Sequence, residues 1–328
     1  MKSLFFFPQY KEGTAENPYC DNFINSIKSH FRLIPFVKNS IPRGLQFFIG
    51  SFKADYYITN WLESVCFLRY GFIQFIFVIL GLFIIKIRSK KIIWIFHNIH
   101  PHEGSNFMSN SLRHLLFRHS ECIIAHSSEA ANYAKQYARK NVYYKCHPLD
   151  INKYHFAVTP LDENFDILIW GTIHRYKGIV EFLSDEKITN SSLKIKVLGL
   201  CPDETLRNEI KTYTNERITY EPIMISFNRL SVLCKSAKIV LFPYIGNSIS
   251  SSGALIDTVC LGGTPVGPNV GAFKDLAHEG CCITYENIDD IFTILKDRKS
   301  ISNEARKTFC SNNSWYAYGE WIKNIIDL

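Results

Sequence analysis

Short apolar runs alternate with segments of helical periodicity along the whole chain. In the first half, four such runs are rich in β-branched and aromatic residues, end in polar residues and precede helix-like sequence. They are residues 3–7, 54–60, 91–96 and 122–125. Residues 19–30 carry Phe23 and Ile27 four positions apart, which predicts an amphipathic helix. Strands and helices that alternate in this way predict a parallel sheet.

A second array of the same kind follows a break near Pro160. Its strand candidates are residues 166–170, 193–198, 218–220, 238–242, 265–267 and 282–285. The two arrays predict two doubly wound domains, residues 1–158 and 159–313. The aromatic-rich segment 314–328 has the pattern of an amphipathic helix, and we expect it to pack back onto the first domain.

Residues 70–85 form the most apolar run of the chain. Its 16 residues fall short of the roughly 20 that span a bilayer core, so a spanning helix is the least favoured interpretation. Basic residues bound the run on both sides, with Arg69 before it and Lys86 and Arg88 after it. The pattern fits a helix buried against the sheet, and equally a helix lying in a membrane interface with its cations on headgroups.

The composition is that of a folded, rather apolar protein. Hydrophobic residues make up 47% and charged residues 20%, and the formal net charge of +7 suits anionic partners such as phosphates, nucleotides or acidic lipids. No basic stripe with interleaved aromatics indicates a nucleic-acid binder. The ten cysteines show no CxxC pair and no zinc-site spacing, so we expect reduced, mostly buried thiols. The apolar run before Pro8 is too short for a secretory signal, which favours the cytoplasm.

The first candidate site lies in the segment 170–183, WGTIHRYKGIVEFL. A predicted strand ends at Gly171, a turn carries Arg175 and Lys177, and Gly178 opens a helix. Cations at the carboxyl end of a strand and beside a helix N-terminus form a site for anions. A solvated basic turn is the alternative interpretation.

A second segment supplies free backbone donors. Ser251, Ser252 and Gly253 directly precede the predicted helix 254–261, and an N-terminus of this kind exposes N–H groups that a diphosphate can accept. Asp257, one turn later, can aim a carboxylate at ribose or sugar hydroxyls. Simple helix capping by the serines is the alternative.

The third segment, WIFHNIHPHEG at 94–104, places His97, Asn98, His102 and Glu103 at the carboxyl end of a strand. Doubly wound sheets bind ligands at that edge. Imidazole and carboxylate groups also suit Zn²⁺ or Mn²⁺, but these residues lack the helical spacing of a zincin, so we expect no metal. In the opening loop, Gly13 stands without the GxGxxG that NAD enzymes use, which disfavours a dehydrogenase.

Together, G-x(5)-KG, the small-residue loop, an acidic helix residue and GGTPV resemble the C-terminal domain of GT-B glycosyltransferases. The resemblance is greatest to the family 4-like enzymes of bacterial surface and capsular polysaccharide synthesis. In that family the KG lysine and a nearby arginine bind the nucleotide diphosphate. Lys177 matches that lysine. The arginine position is occupied by Thr172, so the nearest substitute is Arg175. The family also carries two acidic residues eight positions apart; Asp257 matches the second, and Ile249 occupies the first.

The resemblance implies an α/β GT-B fold, with two doubly wound Rossmann-like parallel-sheet domains facing across a cleft. It implies a metal-independent hexosyltransferase with no cofactor. Its donor would be a nucleotide-diphosphate sugar, held by Gly171, Arg175, Lys177, Ser251, Ser252, Gly253 and Asp257. His97 would face the transferred sugar, either binding a donor hydroxyl or acting as base on the acceptor. Asn17 and Tyr19 would shape the acceptor side, together with Asn98, His102 and Glu103.

We therefore expect a cytoplasmic enzyme, peripheral on an anionic membrane surface, that uses a lipid-linked or oligosaccharide acceptor. Its catalytic groups would be His97, Lys177 and Arg175, the two cations stabilising the departing diphosphate. Two other classes stay open at this point. One is a non-catalytic, membrane-associated scaffold of a polysaccharide assembly complex, and the other is a GT-B-type sugar-nucleotide epimerase.

Overall fold

The computed structural model describes residues 1–10, 18–35, 41–99, 104–151, 165–246, 249 and 251–327. The chain divides into two compact units. Unit 1 comprises Met1–Cys146 and Trp315–Leu328, and unit 2 comprises His147–Ser314. The division falls at 146/147, ahead of the 158/159 boundary expected from the sequence pattern, and residues 152–164 lie outside the described part of the chain.

Unit 1 is built on a six-stranded sheet in the order β2-β1-β3-β4-β5-β6, with every pair parallel. The strands are β1 (Ser3–Phe7), β2 (Arg32–Leu33), β3 (Tyr56–Asn60), β4 (Lys91–Phe96), β5 (Cys122–Ala125) and β6 (Asn141–Tyr144). The strand order reverses between β1 and β3, which makes this the switch point of the sheet.

Helices cover both faces of this sheet. They are α1 (Pro18–Ile27), α2 (Arg43–Gly50), α3 (Gly71–Ile87), α4 (Phe107–His119), α5 (Ser128–Lys135) and the last helix of the chain, α14 (Trp315–Asp327). Successive β1 residues point to opposite faces, since Phe5 and Phe7 join the core under α2–α5 while Leu4 and Phe6 join the core with α1 and α14. A strand buried on both faces reads as an unbroken apolar run, as β1 does.

Unit 2 repeats the plan with the order β12-β11-β10-β7-β8-β9, again all parallel. Its strands are β7 (Phe165–Trp170), β8 (Ile195–Leu198), β9 (Ile218–Glu221), β10 (Ala237–Leu241), β11 (Pro265–Pro268) and β12 (Ile283–Tyr285). The order reverses between β7 and β10, the neighbours at the centre of the sheet. Ligands bind at the carboxyl ends of the strands at such a point.

Eight helices accompany this second sheet in the described chain. They are α6 (Ile179–Leu183), α7 (Glu186–Thr189), α8 (Glu204–Thr212), α9 (Phe227–Ser236), α10 (Gly253–Cys260), α11 (Gly271–His278), α12 (Ile288–Lys296) and α13 (Asn303–Asn312). Most begin at a side-chain cap, as α8 does where Asp203 accepts the N–H of Leu206 at 3.0 Å. The caps explain why polar residues mark so many helix starts in the sequence.

The predicted fold class is confirmed, with two six-stranded parallel sheets flanked by helices. The runs 3–7, 91–96 and 122–125 are strands with the expected bounds. The edge strands β2 and β6 are not apparent in the sequence because their residues are half-buried or exposed and lack an apolar run. An edge strand is covered less and therefore needs fewer apolar side chains.

The apolar run 70–85 forms most of α3, and only one side of this helix packs against the unit 1 core. Val78, Leu82 and Ile85 are buried in the unit 1 core, whereas a row on the other side is exposed. The exposed row comprises Phe72, Ile73, Ile76, Leu80, Phe83 and Ile87. Of the described helices, none combines the length and apolarity that crossing a bilayer requires.

Candidate functional site

The first candidate site lies at the switch point of unit 2. Gly171 directly follows β7, and Phe242 directly follows β10, so the two loops leave adjacent strands at the same edge of the sheet. The loop after β7 carries Lys177, and the loop after β10 leads to the N-terminus of α10. The topology therefore brings the two unit 2 segments singled out in the sequence to one place.

The two loops are in direct backbone contact. Gly178 has φ +63°, and a Cβ placed on it would lie 2.1 Å from the carbonyl oxygen of Pro243. The N–H of Ile245 donates to the carbonyl of Tyr176 at 2.9 Å. Only glycine allows both this left-handed conformation and this close approach. The contact holds Lys177, next to Gly178, against the loop after β10.

Lys177 is a buried cation. Its side chain is 7% exposed, and its Nζ lies 5.5 Å from the centroid of the Tyr244 ring. A Cβ on Gly171, whose φ is +107°, would lie 3.0 Å from the same Nζ. Among the described residues, no carboxylate lies within ion-pair distance of the ammonium. Burial lowers the pKa of Lys177 to about 8.

The N-terminus of α10 lies beside this lysine. Ser252 is the N-cap: its Oγ accepts the N–H of Leu255 at 3.3 Å and lies 3.4 Å from the hydroxyl of Tyr244. Ala254 approaches Gly171, because its Cβ is 3.6 Å from a Cβ built on that glycine. Tyr244 thus contacts both Lys177 and Ser252, so the cation and the helix N-terminus lie close together.

Backbone donors remain accessible at this N-terminus. Gly253 is exposed, and a Cβ added to it would meet no atom within 4 Å. Ser251, just before the cap, is half-buried. The hydroxyl of Ser252 is engaged in capping, so an anion here would bind mainly through the N–H groups of the first turn.

Two predicted unit 2 residues are engaged elsewhere. The guanidinium of Arg175 forms an ion pair with Glu209 of α8 at 2.5 Å on an exposed surface, and this hydrogen bond raises its pKa. Asp257 lies one turn into α10, close enough to Cys234 of α9 for its charge to add to the effect of burial in raising the pKa of that thiol. No described contact joins either residue to Lys177.

The second candidate site lies in unit 1, where β1, β3, β4 and β5 end at one edge. His97 follows β4, is 6% exposed, and stacks on Trp61 with ring centroids 4.3 Å apart. Its Nε2 lies 3.0 Å from Oδ1 of Asn60, whose amide nitrogen donates to the carbonyl of Phe7 at 3.2 Å. Because Asn60 presents its oxygen to the ring, Nε2 of His97 carries the hydrogen of this contact.

A second buried histidine lies beside the first. The ring of His126, which follows β5, is 5.4 Å from that of His97. Its Nδ1 donates to the carbonyl of Lys145 at 2.9 Å, so its Nε2 accepts the Tyr19 hydroxyl at 2.9 Å. Burial raises the pKa of Tyr19 well above its usual value, which keeps that hydroxyl neutral and able to donate.

Sequence reasoning identified His97 and Tyr19 but missed Asn60, Trp61 and His126. The signal that could have identified two of them is their place at the carboxyl end of a strand, since Asn60 ends β3 and His126 directly follows β5. A polar residue at the end of a parallel strand lies at the ligand edge even when its neighbours form no motif. Trp61 adopts φ +49°, uncommon for a bulky residue, and this conformation places its ring under His97.

The remaining predicted unit 1 residues are only partly described. Asn98 is half-buried, and its loop is held by the buried Arg113 of α4, which donates to the carbonyl of Ile99 at 2.8 Å. Asn17, His102 and Glu103 lie outside the described residues. Within the described part of the chain, no group of three or more His, Cys, Asp or Glu side chains is arranged to hold a metal ion.

The two doubly wound units and their helices constitute the GT-B fold of glycosyltransferases. The structure is similar to that of Alr3699/HepE from Anabaena in complex with UDP, with a TM-score of 0.71 and 14% identity over 100% of both chains. The same protein in complex with UDP-glucose gives a TM-score of 0.69 at 13% identity, covering 100% of this chain and 99% of that one.

Two further solved structures are similar. The lipopolysaccharide outer core galactosyltransferase WaaB gives a TM-score of 0.67 at 11% identity over 100% of both chains. Sucrose-phosphate synthase from Thermosynechococcus elongatus gives 0.65 at 12% identity, covering 91% of this chain and 83% of that one. No protein-family model and no curated protein sequence matches the chain. At these identities the likeness shows the fold.

Proposed function

We propose that this protein is a glycosyltransferase that moves a hexose from a nucleotide-diphosphate sugar bound in unit 2 to a glycan acceptor. The observation that carries the proposal is Lys177, a desolvated ammonium beside the N-terminus of α10 at the switch point of the sheet. A buried cation is costly without a counter-charge, and a diphosphate supplies one. HepE, which has the same fold, was solved with UDP and with UDP-glucose.

The chemistry follows from where charge develops. As the glycosidic bond to the donor breaks, negative charge builds on the departing diphosphate. The Lys177 ammonium and the N–H groups from Ser251 to Gly253 stabilise that charge without moving, because the loops already hold them in place. This arrangement needs no metal ion. Arg175 can stabilise the diphosphate only after it breaks its ion pair with Glu209, so we give it a secondary role. Asp257 is proposed to bind a hydroxyl group of the donor.

His97 is proposed to act on the sugar side. The ring of His97, hydrogen-bonded to Asn60 through Nε2, is proposed to serve as base for the acceptor hydroxyl or to bind a hydroxyl of the sugar. Tyr19 and His126 hold neighbouring rings in place by the hydrogen bond between them. The buried polar cluster positions His97 more firmly than a loop histidine alone would be positioned.

We further propose that the enzyme works on a membrane surface, where its acceptor is lipid-linked, as in surface polysaccharide synthesis. The support is the exposed row of α3, whose six large apolar side chains are between 42% and 65% exposed. Lys86 lies in the last turn of this helix. After burial, the charges of Lys86, Arg118 and Arg139 lower the pKa of His119, so these three cations lie near one another at this end of α3. Apolar residues beside cations suit an anionic bilayer from the cytoplasmic side.

The function is tested by screening UDP-, GDP- and TDP-sugars for thermal stabilisation of the full chain. We expect at least one to raise the melting temperature, since a ligand that binds only the folded state stabilises by RT ln(1 + [L]/Kd). The same donor should release its nucleoside diphosphate when a glycan acceptor is added. Stabilisation by none of them would favour a scaffold, and isomerisation of the sugar without any acceptor would favour an epimerase.

The membrane proposal predicts that the protein floats with vesicles containing phosphatidylglycerol and much less with pure phosphatidylcholine. The variant Phe72→Glu/Phe83→Glu should bind at least about tenfold more weakly, because burying each phenylalanine contributes about 1.5–3 kcal/mol. Met224→Glu in unit 2, at an 82% exposed residue, is the matched control and should float like the wild type. Equal flotation of all three proteins would contradict a role for α3.

A further inference from the structure

Two cysteines face each other where the C-terminal end of α10 packs against α13. Cys260 is the last residue of α10 and Cys310 lies on α13, and their sulfur atoms are 3.0 Å apart. A disulfide needs about 2.05 Å between the sulfurs, so closing the pair requires a shift of about 1 Å. Both thiols are partly accessible, whereas the other eight cysteines of the chain are buried.

The surroundings favour a thiolate at Cys310. The hydrogen bond with Cys260 lowers the pKa of the Cys310 thiol most, partial burial opposes this, and the charge of Arg306 lowers the pKa further, so it lies below its usual value. Arg306 lies one turn earlier on α13 and is fixed there by the carbonyls of Val259 and Gly263, to which it donates. The guanidinium therefore links α13 to the C-terminal end of α10 independently of the sulfur atoms.

Other cysteines contrast with this pair. Burial raises the pKa of Cys281 to about 11 and that of Cys122 to about 12, which leaves them as neutral thiols. A partly accessible thiol whose pKa is lowered and which lies beside a second cysteine is the arrangement that reacts with oxidants, while buried neutral thiols are inert.

We propose that Cys310 and Cys260 are an oxidation-sensitive thiol pair that closes to a disulfide between α13 and α10 on exposure to a peroxide. The Cys310 thiolate attacks one oxygen of hydrogen peroxide, which breaks the O–O bond and gives a sulfenic acid and hydroxide. The Cys260 thiol then attacks the sulfenic sulfur, forming the S–S bond and releasing water. Sulfur is oxidised and peroxide oxygen is reduced, and a dithiol such as dithiothreitol reverses the reaction.

The test treats the reduced full-length chain with a small excess of hydrogen peroxide and analyses it by intact mass and non-reducing peptide mapping. We expect the loss of two hydrogen atoms, a linked peptide containing Cys260 and Cys310, and reversal by dithiothreitol. The oxidised form should also melt at a higher temperature, because the cross-link restricts the unfolded chain. Absence of that linked peptide, with oxidation spread over other cysteines, would overturn the proposal.

Three serine variants separate the roles of the thiols. Cys260→Ser should accumulate a sulfenic acid at Cys310 that a dimedone probe labels, and Cys310→Ser should give neither product. Cys281→Ser, which removes a buried thiol that lies close enough to Cys310 to feel its charge, should form the disulfide like the wild type. Labelling at Cys260 in Cys310→Ser, or loss of the disulfide in Cys281→Ser, would contradict the assignment. None of these measurements depends on donor binding, so they test the thiol pair separately from the proposed transferase activity.

Discussion

Replacing Lys177 by methionine is expected to lower kcat/KM for the donor by about 10²- to 10³-fold, the usual effect of removing one preorganised donor to a developing negative charge. Methionine keeps an unbranched apolar side chain in the buried space that Lys177 fills, so folding should survive. Removal of a desolvated cation should even stabilise the unliganded protein, which thermal melting would show. Steady-state kinetics with the donor found in the sugar-nucleotide screen measures the loss.

The matched control is Arg175→Met in the same turn. Its guanidinium is exposed and paired with Glu209, so we expect a change of less than about threefold, typical of an exposed ion pair. Wild-type turnover in Lys177→Met would remove the proposed diphosphate site. A large loss in Arg175→Met together with a small one in Lys177→Met would move the site to the exposed side of the turn.

The pKa of Lys177 adds a pH signature to this prediction. The ammonium is protonated below about pH 8 and loses its proton above it, so the affinity for the donor found in the screen should be constant at neutral pH and fall as the pH rises through 8. The sign follows because only the charged lysine attracts the diphosphate. Calorimetric titrations at several pH values should show this decline in the wild type and not in Lys177→Met.

Gly178→Ala is expected to reduce the free energy of unfolding by about 2–5 kcal/mol. A left-handed conformation costs a non-glycine residue about 1–2 kcal/mol, and overpacking adds about 1–3 kcal/mol. The added Cβ would lie 2.1 Å from the carbonyl oxygen of Pro243, a backbone atom that cannot rotate away. Urea denaturation followed by circular dichroism gives the value. The same variant should also lose donor binding, since the loop carrying Lys177 is displaced.

Gly253→Ala is the control for Gly178→Ala. Its Cβ would meet nothing within 4 Å, and its backbone is helical, so unfolding should change by no more than about 0.5 kcal/mol. We nevertheless expect weaker donor binding, because a methyl group at the N-terminus of α10 obstructs a phosphate approaching the backbone N–H groups. Unchanged donor affinity in Gly253→Ala would place the diphosphate elsewhere.

Much of the framework was predictable from local pattern. The runs at β1, β4 and β5 are apolar on both faces, so their length and ends are apparent from the chain alone. The candidate anion site was also apparent in the sequence, because a glycine, a lysine and a helix start follow one strand in fixed order. The placement of the 70–85 run was ambiguous, because a helix that is apolar on all sides shows no pattern that marks its buried face. Only the elements packed against it, such as α2, decide which face is covered.

The sequence alone determined two doubly wound arrays, the positions of most strands, and the two segments that supply Lys177 and the α10 N-terminus. Periodicity and capping are local properties, so they can be read along the chain. Packing of the folded chain, and no local pattern, brings Tyr244 to both segments, turns His97 toward Asn60 and pairs Arg175 with Glu209. These contacts join residues far apart in sequence, and which partners meet depends on strand order and packing, which no local pattern records.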